Sequence, residues 1–86
     1  MNVTVVLFGL LREYLPRRAQ GNRAGLALPA DGDVESLVLV LQIPYRRVYA
    51  ILVNGEQAEG STKLNEGDEV TLMPPFSGGA SRPRSL

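Results

Sequence analysis

Two segments near opposite ends of the chain carry its strongest strand signals, and both read as buried. Asn2 to Phe8 is β-branched and apolar, with Val3, Val5 and Leu7 on one face and Thr4, Val6 and Phe8 on the other. Phe8 is expected to join the core. Glu69 to Met73 sets Val70 and Leu72 against Thr71 and Met73. Strands buried on both faces belong inside a sheet, so the first and last strands should lie side by side at its centre. That pairing is parallel, and a parallel pair needs a crossover long enough to hold a helix.

The intervening residues supply it. Pro16 to Gly25 is a loop rich in Arg, Gly and Asn, and Ala24 to Pro29 reads as a second strand that closes a hairpin on the first. Asp31-Gly-Asp33 is a turn ending in a plausible N-cap, and Val34, Leu37, Val38 and Leu41 fall at the i, i+3, i+4, i+7 spacing of a helix face. Ser36 to Leu41 is apolar all round, and its valines would suit a strand. Helix is favoured because Asp33 can cap it, Glu35 sits in the first turn and Pro44 stops it. Tyr49 to Val53 is a short strand, Asn54-Gly55 a tight hairpin turn and Glu56 to Ala58 the return strand. Asn65 to Asp68 turns the chain into the last strand. One helix must then cover one face of a mixed sheet. The predicted fold is α+β, a ubiquitin-like β-grasp, over residues 1–76, with 77–86 as a flexible C-terminal arm.

Composition removes most chemistries. The chain has 86 residues, enough for one small domain, and it has no cysteine and no histidine. A disulfide, a zinc cage, a Cys nucleophile and a Ser-His dyad are thereby excluded within it. Nine Lys and Arg balance nine Asp and Glu, which argues against nucleic acid and against a polybasic membrane anchor. The first residues lack a basic n-region, and no run reaches transmembrane length, so the expected location is cytoplasmic. Arg17-Arg18 and Arg46-Arg47 read as solvated surface charges. Glu56, Glu59, Glu66, Asp68 and Glu69 read as turn solubility ahead of steering toward a basic partner.

The chemistry-bearing feature follows the last strand. Val70-Thr-Leu-Met stops at Pro74-Pro75, and Phe76, Ser77, Gly78 and Gly79 come next, with Ala80 to Leu86 beyond them. Prolines deny the sheet a donor and end the strand sharply. Two glycines lack Cβ atoms and suit an arm that enters a narrow channel. Phe76 at the arm's root is of the kind that fills a partner's pocket.

Three blocks resemble the MoaD/ThiS family of small sulfur carriers: Val6-Leu-Phe-Gly-Leu-Leu-Arg-Glu13, Ile51-Leu-Val-Asn-Gly-Glu56, and Leu64 through Gly79. The Pro-Pro-Phe-Ser-Gly-Gly ending is closest to the molybdopterin branch. The resemblance implies a carrier, not an enzyme, with no permanently bound cofactor. An E1-like adenylating enzyme would use ATP to activate the carboxylate of Gly79, which then becomes a thiocarboxylate. Ser77 and Gly78 would form the arm, and Pro75 and Phe76 the partner contact. A large molybdopterin-synthase subunit would receive the sulfur. Here Gly79 is amide-bonded to Ala80, so a tail-removing peptidase is implied as a further partner. Two alternatives stay open: a precursor carrier for another pathway, of thiamine or amino-acid type, and a β-grasp interaction module without carrier activity.

Overall fold

A computed structural model describes residues 1–75. Strand β1 (Asn2–Leu7) is followed by a 3-10 segment, Gly9–Tyr14, and then by β2 (Arg23–Ala27). Helix α1 spans Val34–Val40, and a second 3-10 turn, Tyr45–Arg47, leads into β3 (Ala50–Val53). Strands β4 (Glu56–Gln57) and β5 (Glu69–Met73) complete one sheet of order β2-β1-β5-β3-β4. Strand β1 pairs parallel with β5, Val5 opposite Val70 and Leu7 opposite Leu72, while the remaining pairs are antiparallel. The two end strands therefore do sit at the centre, in the arrangement of a ubiquitin-like β-grasp.

The parallel register places Val3, Val5, Leu7, Val70, Leu72 and Ile51 on one face, where α1 covers them with Val34, Leu37 and Val38. Val5, Leu37, Val70 and Leu72 are wholly enclosed. Full burial of one such side chain contributes roughly 1.5–3 kcal/mol, so this one face supplies most of the stability of so small a domain.

Helix α1 starts as expected. Asp33 is the N-cap, and its Oδ1 accepts from the backbone N of Ser36 at 2.9 Å, while the Ser36 hydroxyl lies 3.4 Å from the Asp33 amide in a capping box. The helix end differs from the expectation. It closes before Pro44, because Gln42 adopts a left-handed φ of 62°. The amide of Ile43 then donates to the Val38 carbonyl and that of Gln42 to Leu39, which together make a Schellman closure. Pro44 instead opens the second 3-10 turn. Phe8 also departs from expectation. It continues the Thr4–Val6 face, which α1 does not cover, and stays 40% exposed. The proposed boundary after residue 76 lies outside the described residues.

Candidate docking site at the root of the arm

Strand β5 delivers the chain to Pro74 and Pro75. Pro74 is buried and Pro75 exposed. Pro74 is held by an unusually close approach: Gly9 opens the 3-10 segment with φ +57°, and a Cβ added there would lie 2.8 Å from the Pro74 ring. The two central strands thus fix where the arm departs.

Beside that point lies a groove of about 280 Å³, lined by Leu10, Leu11, Tyr14, Arg47, Pro74 and Pro75. Its floor, Leu11, belongs to the core, whereas Leu10 on its wall is 81% exposed. Its polar side is built by Arg47, whose Nη1 donates to the Tyr14 hydroxyl at 2.9 Å and stands 3.8 Å from Glu13. An apolar trough with one cationic rim suits a partner's apolar side chain flanked by a carboxylate.

The uncovered sheet face continues this surface. Alternation puts Val6, Phe8, Leu52 and Met73 on it, and the amide of Tyr49, whose side chain is 76% exposed, donates to the Met73 carbonyl. Across that face Arg23 pairs with Glu69 at 2.8 Å.

Of the residues expected to act, Pro75 lies on the groove, while Phe76, Ser77, Gly78 and Gly79 fall outside the described residues. Sequence reading assigned Leu10 and Tyr14 no role and made Arg47 a solvated surface charge, since only folding brings Tyr14 and Arg47 together across 33 positions. The charges expected to be free are partly engaged: Arg18 donates to the carbonyl of Gly25. Of the acidic residues, Glu66, Asp68 and Glu69 serve turns and pairs. Glu66 accepts from the Asn2 amide, and Asp68 accepts from the Asn65 amide and from the Asn54 side chain.

Comparison with known proteins can now be set against this geometry. Residues 5–79 match the model of the ThiS family. The chain belongs to the ThiS family. The match begins within β1, takes in every later strand and α1, and extends to the diglycine. A search of curated proteins finds no match for this ThiS-family chain. Among solved structures it resembles SAMP1 of Haloferax volcanii, at 26% identity and TM-score 0.66 over 92% of this chain and 100% of that one. It also resembles a chain from the complex of subunits 1 and 2 of the molybdopterin-converting factor from Helicobacter pylori, at 26% identity and TM-score 0.60 over 92% of this chain and 100% of that one. The fold is also that of a putative molybdopterin-converting factor subunit 1 from Pyrococcus furiosus, at 22% identity, TM-score 0.65, and coverage of 87% and 98%. Small ubiquitin-like proteins of this ThiS/MoaD type are carriers rather than catalysts. Among the described residues no helix is long and apolar enough to cross a membrane.

Proposed function

We propose that this ThiS-family protein is a sulfur carrier whose working end is Gly79, freed by removal of Ala80 to Leu86. One observation carries the reading: the family match ends at Gly79, and seven further residues follow it in the 86-residue chain. A peptidase cut after Gly79 would release its carboxylate. In a partner adenylating enzyme that carboxylate attacks the α-phosphate of ATP, and pyrophosphate departs. A sulfur nucleophile then displaces AMP from the acyl adenylate and leaves a thiocarboxylate. The chain itself contributes no side chain to these steps. Its part is positional: Pro74 and Pro75 aim the arm, Phe76 anchors at the partner, and Ser77 and Gly78 reach inward. ATP is the partner's substrate and needs no site here.

Molybdopterin synthesis is the favoured destination for the sulfur, because the Helicobacter pylori relative stands in complex with a second subunit of a molybdopterin-converting factor. A role as a modifier protein is the second reading, favoured by the relative named small archaeal modifier protein 1.

The test is ATP–pyrophosphate exchange with the host's adenylating enzyme. Full-length protein should be inert and protein ending at Gly79 active. The intact mass of the host's own protein should lack Ala80 to Leu86, and a fraction should carry sulfur in place of one oxygen. Robust exchange by the full chain contradicts the blocked-carrier reading. A retained tail without any sulfur leaves a β-grasp interaction module as the better description.

A further inference from the structure

The formal charge of zero conceals a polar molecule. The C-terminal ends of β1 and β5 point the same way, because the two strands are parallel. At that end lie both 3-10 segments and the loop into β2, since the Tyr49 amide reaches the Met73 carbonyl and the Leu7 amide reaches the Asn22 carbonyl. Those segments carry Arg12, Arg17, Arg46 and Arg47, all exposed, against Glu13 as their acidic neighbour. The opposite end holds the Asp31–Asp33 turn, the first turn of α1, the β3–β4 turn and the Asn65–Asp68 turn. It is acidic through Asp31, Glu35, Glu56, Glu66 and Asp68, with Lys63 among them. The arm thus leaves from the basic pole, beside the apolar groove and the exposed Leu10.

We propose that this pole docks onto a protein face that is apolar at its centre and acidic at its rim, the rim surrounding the channel that admits the arm. The inference rests on the carrier reading for the arm's purpose, but the complementary surface is read from the charges themselves. A dipole with its positive end at the arm turns the arm toward an acidic mouth before contact and raises the association rate. The groove then takes an apolar side chain while Arg47 meets a carboxylate. A nucleic acid fits less well, for the charges sum to zero and the centre of the pole is apolar.

The experiment uses the protein ending at Gly79 and its triple variant Arg12→Glu/Arg17→Glu/Arg46→Glu. None of these three side chains makes a hydrogen bond or ion pair among the described residues, so the fold should survive, as amide spectra will verify. Association with the host's adenylating enzyme is followed by stopped flow at low and high salt. The triple variant should associate at least tenfold more slowly at low salt and lose most of the wild-type salt dependence. Asp31→Lys/Glu56→Lys, at the other pole, should stay within twofold of wild type. Equal loss from both variants, or none from the first, overturns the proposal. A second arm needs no enzyme. Poly-L-glutamate titrated into labelled protein should shift Leu10, Arg12, Arg17, Arg46 and Arg47, and poly-L-lysine should not. Absence of that pattern also overturns the proposal, as does tighter binding of a single-stranded oligonucleotide at the same pole. If wild type fails to bind the enzyme yet shows the polyglutamate pattern, the carrier reading falls and the docking surface stands.

Discussion

Gly9 and Pro74 are matched: the Cβ that Gly9 lacks would sit 2.8 Å from the Pro74 Cγ, at a backbone φ of +57°. The end of β1 is in this way keyed to the first residue past β5. Gly9→Ala should cost about 1–2 kcal/mol for the left-handed backbone alone, plus the displacement of a proline ring that cannot swing aside. Adding Pro74→Ala should recover the steric part and leave the backbone part. Chemical denaturation of the two single variants and the double variant measures the coupling, and strict additivity would dismiss the keyed contact.

Gln42 bears a left-handed φ of 62° in the closure of α1. Gln42→Gly should raise stability by about 0.5–1 kcal/mol, because glycine adopts that conformation freely. A fall in melting temperature would show that the Gln42 side chain contributes something the closure does not require.

Asp33 sits below its ordinary carboxylate pKa, chiefly because the Ser36 backbone amide donates to it, with help from the Ser36 hydroxyl. The sign follows. A carboxylate depressed in the folded state contributes stability above its unfolded pKa, near 3.8, and loses it as pH falls through the lower folded value. Asp33→Asn should therefore match wild type closely at pH 7 and melt with a shallower decline below pH 4 than wild type. Identical acid profiles would remove Asp33 from the account.

Asn54 does more than turn the chain. Its side chain donates to Asp68 and accepts from the Glu69 amide, each at 2.9 Å, and so ties the β3–β4 turn to the turn before β5. Asn54→Gly keeps the left-handed turn but forfeits both bonds, and should cost about 1–2 kcal/mol. Asn54→Ala should cost more, having lost the turn preference as well. Equal stability of the two variants would assign the whole effect to the bonds.

Phe76→Ala tests the arm's root. It should weaken binding to the adenylating enzyme or large subunit by about 2 kcal/mol or more and barely move the melting temperature. A loss of about 3–5 kcal/mol in stability with unchanged affinity would make Phe76 part of the core.

The sheet's centre was legible in the sequence because β1 and β5 carry apolar residues on both faces with few breaks, a pattern that favours the interior of a sheet. The start of α1 was legible because Asp33 and Ser36 carry their own capping chemistry. Its end was not, for the left-handed position is filled by Gln42, which advertises nothing, while the nearby Pro44 draws the eye. Phe8 misled by its hydrophobicity. Alternation assigned it to the Thr4–Val6 face, and only the one-sided placement of α1 decides that this face stays open. The groove was invisible because its wall and rim come from segments that no local pattern connects. Arg47 meets Tyr14 only after the parallel pairing has brought both 3-10 segments to the same end.

That pairing also imposes an order on synthesis. Thr4 faces Glu69 and Leu7 faces Leu72, so the central ladder closes a loop spanning most of the domain. A ribosome delivers β1 within the first seconds of translation, and β1 must wait for its inner neighbour until Met73 has cleared the exit tunnel. A nascent chain that stalls before then has α1 and half a sheet, with the apolar edge of β1 bare. Only a finished domain holds Pro74 and Pro75 in place, so the arm is aimed only by a molecule that has already folded.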